Sequence, residues 1–167
     1  IDKSANHVTA NTTLSVEDTL TFVSRNLVTT SSNLLTLKAG SVATGANNSS
    51  FISGPIKKIG NTAFVFPVGK ETNFRTVEIT APSNTTDAFT AEFFDTTQTL
   101  GSSMDTTITF ISDCGYWSLN RTAGSSNITP KFAFDSTHCD YLTVKPVHIA
   151  IWNGTTWVDI GEGVTDS

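Results

Sequence analysis

Few residue types able to support nucleophilic catalysis occur in this sequence, and they are scattered. The histidines are His7, His138 and His148, and none lies in a nucleophile context such as Gly-x-Ser-x-Gly. His138 adjoins Cys139, but Cys–His pairs act through space, so adjacency alone gives little support. The sequence therefore predicts no nucleophilic centre.

Acidic residues could instead act as paired carboxylates or as calcium ligands. A glycosidase needs two convergent carboxylates. The candidates are Glu78, Glu92, Asp113 and Asp159. Calcium ligands could come from Asp135 and Asp140, although their spacing is not that of a calcium loop. No phosphate-binding loop and no cofactor motif is present. Because acidic residues on strands usually lie on solvated faces, we expect a protein without enzymatic activity or cofactor.

The two cysteines, Cys114 and Cys139, predict one disulfide. They form no Cys-x-x-Cys motif and have no zinc-type histidine pairing. A bond between them would close a loop of about 25 residues and stabilise the fold by about 3 kcal/mol in an oxidising compartment. The alternative is a pair of buried free thiols.

Four aromatic residues could bind sugar. Tyr116, Trp117, Trp152 and Trp157 could form a platform, because a flat aromatic face packs against the C–H surface of a pyranose. Large aromatics on alternating strands more often face the core. Trp152 and Trp157 flank Asn153-Gly154, and in a hairpin closed by that turn they would pair across it.

The composition indicates which kind of secondary structure must position these residues. The chain is rich in Thr, Ser, Val, Ile and Phe and contains one Met, which favours strands over helices. Its 167 residues fit one domain. The net charge of −5, with no basic run, makes nucleic acid an unfavourable partner. No apolar run reaches the roughly 20 residues of a membrane-spanning helix.

An imperfect repeat marks the first 50 residues. Residues 13–16, 19–22 and 34–37 each alternate polar and apolar side chains, as half-buried strands do. Short strands separated by polar stretches are typical of stacked solenoid rungs or of a tight meander. The irregular spacing does not distinguish the two.

From residue 51 onward the pattern predicts an antiparallel β-sandwich spanning about 51–167. Residues 51–59 form a strand interrupted at Gly54-Pro55, and Gly60-Asn61 predicts a hairpin turn into residues 62–66. Further strands are predicted at 75–80, 89–94, 106–111, 116–120, 128–134, 141–144, 148–152 and 156–160. Strands at this spacing with turn signals between them indicate a sandwich. The chain is thus divided into a short-stranded segment, 1–50, and a sandwich, 51–167.

Four segments resemble a module of very large secreted proteins of Bacteroidota. They are FISGPIKKIG at 51–60, FVFPVG at 64–69, CGYWSL at 114–119 and AIWNGTTW at 150–157. The first two are the most distinctive, and together the four span most of the chain. The resemblance implies a β-sandwich on the bacterial cell surface, export by the type IX system and a role in display or adhesion. It brings no catalytic residues.

Two glycosylation patterns compete. The Asp-Ser/Thr-x pattern of Bacteroidota O-glycosylation occurs at Thr19, Thr96, Thr106 and Ser136. Asn-x-Ser/Thr sequons occur at Asn11, Asn47, Asn48, Asn84, Asn120, Asn127 and Asn153. The sequons matter only in a eukaryotic secretory route, so the resemblance favours O-linked sugars.

The ends of the sequence suggest a fragment of a larger multidomain protein. It begins Ile1-Asp2-Lys3, which is neither a Met start nor a signal peptide. Modules of the resembling type continue past a stretch such as residues 161–167 into another strand, so we expect a neighbouring module or an identical subunit to complete the sandwich. A mere boundary of the fragment is the alternative. The predicted function is a non-catalytic structural or adhesive module of a surface protein or filament, and the alternative is a carbohydrate-binding module that recognises surface glycans.

Overall fold

The computed structural model describes residues 7–135 and 147–161 and the backbone of residues 164–166. Within these residues the chain forms strands, turns and loops but no helix, which confirms the predicted all-β class.

Three rungs of short parallel strands build the first part of the fold. The first rung contains β1 (Val8–Thr9), β2 (Leu14–Val16) and β3 (Thr19–Thr21). The second contains β4 (Leu27–Val28), β5 (Leu35–Leu37) and β6 (Val42–Thr44), and the third contains β7 (Ile52–Ser53) and β8 (Ile56–Ile59). The next strand, β9 (Phe64–Phe66), leaves the parallel stack and joins the four-stranded sheet. β1, β4 and β7 pair in parallel, as do β2, β5 and β8, and so do β3 and β6. The parallel direction identifies a solenoid rather than a meander.

Two sheets form the sandwich. The remaining strands are β10 (Gly69–Lys70), β11 (Asn73–Phe74), β12 (Val77–Ile79), β13 (Ala88–Phe94), β14 (Tyr116–Ala123), β15 (Pro130–Phe134), β16 (Ala150–Trp152), β17 (Trp157–Asp159) and β18 (Val164–Asp166). The described residues place β14-β13-β8-β5-β2 in a five-stranded sheet and β18-β15-β12-β9 in a four-stranded sheet. β13 runs antiparallel to β8 and β14, and β12 runs antiparallel to β9 and β15.

β8 belongs to both parts of the fold. It pairs with β5 of the second rung on one side and with β13 of the sandwich on the other. One apolar cluster accordingly runs from Leu27 and Leu35 in the rungs to Phe66, Ile79 and Phe93 in the sandwich. The rungs and the sandwich share a sheet and a core.

Strand alternation explains which side chains form this core. On β5, Leu35 and Leu37 are 1% and 0% exposed while Thr36 between them faces outward. On β13, Phe89 and Phe93 face inward in the same way. Burial of apolar surface drives each strand to this orientation, since a shift of one residue would expose the whole apolar set.

The predicted interruption at Gly54-Pro55 separates β7 from β8. Gly54 has a φ of +133°, and a Cβ there would overlap the Thr29 carbonyl of the second rung. The Thr29 hydroxyl donates a hydrogen bond of 2.8 Å to the Pro55 carbonyl. Only glycine fits this corner, because a side chain would separate the two rungs.

The predicted hairpin at Gly60-Asn61 is wrong. β8 and β9 lie in different sheets, and β9 pairs with β12 instead. Both edges of β8 are already occupied by β5 and β13, so no edge remains for β9. The Gly60 amide donates to the Asp87 carbonyl at 2.9 Å, which fixes the corner where the chain crosses between sheets.

The predicted strand at 106–111 is also wrong. The Asp105 carboxylate accepts a 2.7 Å hydrogen bond from the Thr107 amide, and the Ile108 amide donates to the Asp105 carbonyl at 3.3 Å. These local bonds form a turn that competes with strand pairing, although the apolar alternation of the segment favoured a strand.

The C-terminal segment, expected to lead into a strand beyond residue 167, itself contains β18, which lies parallel to β15 at the edge of the four-stranded sheet. The predicted strand at 141–144 lies outside the described residues.

Candidate functional site

The candidate carboxylates are spread over separate surfaces. Glu78 lies on the four-stranded sheet opposite Lys131, Glu92 lies on the five-stranded sheet, and Asp159 lies on β17. Burial raises the pKa of Glu92, and the positive charge of Lys70 offsets only part of this increase. In the part of the chain that the structure describes, no group of three or more His, Cys, Asp or Glu residues could hold a metal ion.

Asp135, one of the two candidate calcium ligands, forms an ion pair. Its Oδ2 lies 3.0 Å from Nη2 of Arg75, whose side chain is 6% exposed. Arg75 also donates to the Phe74 carbonyl at 2.9 Å. This carboxylate therefore balances a buried cation. Asp140, His138 and Cys139 lie outside the described residues.

Trp117 packs between the two sheets. Its ring centroid lies 5.1 Å from those of Phe93 and Phe132, one on each sheet. Its indole N–H donates a 3.0 Å hydrogen bond to the Arg75 carbonyl. Both the ring and its polar atom are thus engaged with the two sheets, so packing of the sandwich accounts for the position of Trp117.

Trp152 and Trp157 face each other across the β16–β17 hairpin, as the Asn-Gly turn predicted. Their ring centroids are 5.5 Å apart with the planes tilted by 56°. Trp157 is 6% exposed, and its indole N–H donates to the Gly101 carbonyl at 3.0 Å. The pair packs the hairpin together rather than presenting coplanar faces to solvent.

The hairpin is held against residues 101–105. The Trp157 amide donates to the Ser103 carbonyl at 2.9 Å, and the Asp105 amide donates back to the Trp157 carbonyl at 3.0 Å. His148 Nδ1 lies 2.7 Å from Asp159 Oδ2 on the same hairpin. The pKa of Asp159 is lowered mainly by the hydrogen bond from the Gly161 amide and, to a smaller extent, by the hydrogen bond from His148, because both stabilise the charged carboxylate.

Tyr116 lies on β14 next to Trp117, and it lines the same concave region of the surface as the three tryptophans. It stacks on Phe94 across β13 and β14, with ring centroids 4.8 Å apart and planes 9° from parallel. Both side chains are half-buried. Of the four predicted sugar-binding aromatics, Tyr116 is the one whose stacked ring lies next to a parallel aromatic neighbour.

Sequence reasoning missed the buried Lys58. Its Nζ donates to the carbonyls of Lys38 and Ser41 at 2.7 and 2.6 Å and lies 5.3 Å from the centre of the Phe64 ring. The side chain is 3% exposed, and burial lowers its pKa. Strand alternation could have indicated this, because Ile56 and Lys58 are two residues apart and share a face.

Asp87 is a second buried charge that the sequence did not single out. Its carboxylate accepts hydrogen bonds from the Asn84 amide at 3.0 Å and from the Ser126 hydroxyl. The Ser126 bond is the largest cause of its lowered pKa. Asp87 precedes β13 and Ser126 follows β14, so this bond ties together the turns at one end of the sandwich.

Three of the four predicted O-glycosylation residues lie in the described part of the chain. Thr19, Thr96 and Thr106 are exposed, and the Thr19 hydroxyl donates to the Asp18 carboxylate at 3.2 Å. Ser136 lies outside it. Cys139 does too, so the pairing of Cys114 with Cys139 stays a prediction.

A concave, mostly apolar region of about 1360 Å³ lies between β14, the hairpin and residues 107–112. Trp117, Phe132 and Ile149 are among the residues that line it.

Comparison of the chain with protein-family models, curated proteins and solved structures finds no match. The described residues contain no helix with the length and apolar character needed to cross a membrane.

Proposed function

We propose that this protein is a non-catalytic structural or adhesive module of a large bacterial cell-surface protein or filament. The observation that carries the proposal is the pairing of β8 with both β5 and β13. A strand shared by the rungs and the sandwich leaves no flexible linker between them, so the unit resists bending. Such a unit suits a stiff spacer that holds other modules away from a cell.

Two of the four segments that carry the resemblance to Bacteroidota surface modules contribute buried residues where the rungs meet the sandwich. FISGPIKKIG supplies the third rung and FVFPVG supplies β9 of the four-stranded sheet, and their Phe51 and Phe66 are both 0% exposed. This supports a structural use of the motif, since the side chains that define it are buried. Location at the cell surface and export by the type IX system are parts of the same proposal.

Antibody labelling of intact source cells tests the location. We expect antibody raised against the folded chain to label unpermeabilised cells, and brief protease treatment of those cells to remove the label. A cytoplasmic protein stained in parallel is the control for cell integrity. Label that appears only after permeabilisation would contradict the proposal.

We further propose O-linked sugars on Thr19, Thr96, Thr106 and Ser136. The exposure of the first three supports access by a glycosyltransferase. The intact mass of protein from the native host should exceed the sequence mass, and Thr→Val at each of the three threonines, or Ser136→Ala, should remove one increment. Thr36→Val, outside the Asp-Ser/Thr-x pattern, is the control. An unmodified mass would exclude the glycans.

The disulfide between Cys114 and Cys139 is part of the proposal for an oxidising location. We expect an intact mass without free thiols, and a loss of about 3 kcal/mol of stability on reduction, from the entropy of the released loop. Two alkylated cysteines in the unreduced, denatured protein would contradict the bond.

A carbohydrate-binding module is the alternative, and the Tyr116–Phe94 stack is the observation that supports it. A glycan array distinguishes the two readings. Binding that is lost in Tyr116→Ala and retained in Trp152→Ala would favour the alternative. Absence of glycan binding, with surface labelling intact, would favour the structural module.

A further inference from the structure

The outer edge of β2 carries backbone groups that no described strand pairs. β2 is the last strand of the five-stranded sheet. The Leu14 amide donates to the Leu34 carbonyl at 3.0 Å, and the Val16 carbonyl accepts from the Lys38 amide at 2.9 Å. Alternate residues of a parallel strand bond to opposite neighbours. The N–H and C=O of Ser15 therefore point away from β5.

The other two strands of the first rung have the same polarity. The amides of Val8 and Ala10 donate to the second rung, so the Thr9 backbone points away from it. Directly after β3, the Phe22 amide also donates to the second rung. By alternation along β3, the Thr19 backbone points away from that rung. All three edges thus present donors and acceptors in the direction of the solenoid axis.

The inward-facing side chains at matching positions of β2, β5 and β8 form a column, and their exposure falls sharply after the first rung. Leu14 is 36% exposed, Leu35 below it is 1% exposed and Ile56 below that is 0% exposed. Leu14 occupies an inward position, like Leu35. Its exposure follows from the lack of a rung above it among the described strands.

The opposite end of the solenoid is covered. The Ile52 amide donates to the Pro67 carbonyl at 2.8 Å, and Ile52 forms a parallel bridge with Val68. β13 covers the free edge of β8. Among the described strands, the solenoid is therefore covered at its third rung and uncovered at its first, which gives it a direction of continuation.

We propose that a further parallel rung of the same polypeptide, N-terminal to residue 7, stacks on the first rung. Such a rung would span about the 19-residue step from Val8 to Leu27 (27 − 8 = 19), so testing it requires a polypeptide with sequence upstream of these 167 residues. A second copy related by a two-fold axis would present antiparallel strands. Only a preceding rung continues the parallel ladders and the Leu14 column in register.

The inference deepens the proposed function, because it makes the module one end of a solenoid stalk. It rests on the multi-module part of that proposal and not on the cell-surface location. Its test uses purified polypeptide, so failure of surface labelling and failure of rung stacking are separate results.

Amide hydrogen exchange tests the stacking directly. In the longer polypeptide, with its encoded upstream sequence, the amides of Thr9, Ser15 and Thr19 should exchange at least about tenfold more slowly than in the 167-residue chain. The Thr36 amide, which points toward β2, should be slow in both. Equal exchange of the first three amides in both proteins, or an upstream sequence that forms no rung, would overturn the proposal. Protection that rises with the concentration of the 167-residue chain would instead identify a second copy and also overturn it.

A proline variant gives an independent readout. Ser15→Pro removes an N–H that the described strands leave unpaired, so we expect the melting temperature of the 167-residue chain to change by less than about 2 °C. The same change should lower that of the longer polypeptide by more than about 5 °C. Thr36→Pro, the matched change in the second rung, should destabilise both. Equal shifts for Ser15→Pro in the two proteins would contradict the stacking.

Discussion

At the scale of single residues, Lys58 explains how a polar corner is tolerated beside the core. The corner at residues 38–41 turns the chain from β5 to β6 and leaves carbonyl groups facing inward. Nζ of Lys58 reaches two of these carbonyls and the Ser41 hydroxyl, the last at 3.3 Å. A buried charge is stable here because its donors are satisfied and the Phe64 ring covers it.

Replacement of Lys58 by methionine should lower the free energy of unfolding by about 2–4 kcal/mol. The aliphatic chain keeps its packing, but the carbonyls of Lys38 and Ser41 lose their donors in a site closed to water. Urea unfolding followed by circular dichroism measures this. Lys57→Met, on the outward face of the same strand, is the control and should cost less than about 0.5 kcal/mol. Equal effects of the two variants would contradict the structural role of Lys58.

Two aspartates predict a loss of stability in acid. Hydrogen bonds from Thr107 lower the pKa of Asp105, and those from Gly161 and His148 lower the pKa of Asp159. Because the folded-state pKa values are lowered, this stabilisation is complete above the unfolded-state value near pH 4 and is lost as the pH falls through the folded-state values.

Urea unfolding should therefore be measured at several pH values from 6 to 2.5. The urea concentration at the midpoint should decrease once the pH is below about 4. Asp159→Asn should be less stable than the native chain at pH 6, and the difference should shrink at pH 2.5. A difference that stays constant with pH would exclude a contribution from the charge of Asp159.

At the scale of elements, the β16–β17 hairpin is attached mainly through one tryptophan. The Trp157 indole and backbone together make three hydrogen bonds to residues 101–105, with lengths of 2.9–3.0 Å. The large sheets do not depend on these bonds, since β8 and β13 pair elsewhere. The hairpin should therefore open locally without unfolding the sandwich.

Trp157→Ala should increase amide exchange at residues 103–105 and 150–159 while amides of β8 and β13 stay protected. The cause is the loss of both the packing with Trp152 and the hydrogen bond to Gly101. Exchange measured by mass spectrometry tests this, with Ile151→Ala, which is 43% exposed on the same hairpin, as the control. Loss of protection throughout the sandwich would show that the hairpin is part of the cooperative core.

At the scale of the whole molecule, the shared sheet predicts that rungs and sandwich unfold together. Leu35 is in the second rung, yet it belongs to the same apolar cluster as Phe93 of the sandwich. Loss of packing at one end of this cluster should therefore weaken the other end.

Leu35→Ala should lower the free energy of unfolding by about 2–5 kcal/mol, because it leaves a cavity in a site that is 1% exposed. Amides of β5 and β14 should lose protection together at the same denaturant concentration. Val23→Ala, at a position that is 62% exposed, is the control. Separate transitions for the two strands would indicate that the rungs unfold as an independent unit.

The local pattern of the sequence determined the strand class and several strand positions. Alternation located β2, β3 and β5, and Gly54-Pro55 separated β7 from β8, since these signals depend on neighbouring residues only. The Asn153-Gly154 turn likewise indicated the tryptophan pair. Each of these features is set by backbone geometry within a few residues.

Tertiary structure decided which edges meet. The sequence placed a hairpin at Gly60-Asn61, but the edges of β8 were taken by strands about 20 and 30 residues away along the chain. Long-range strand pairing also determined that the rungs are parallel and do not form a meander. It placed Lys58 against the corner at residues 38–41 of another rung. Such pairings depend on long-range contacts, which no local pattern records, and they alone revealed the open edge of the first rung.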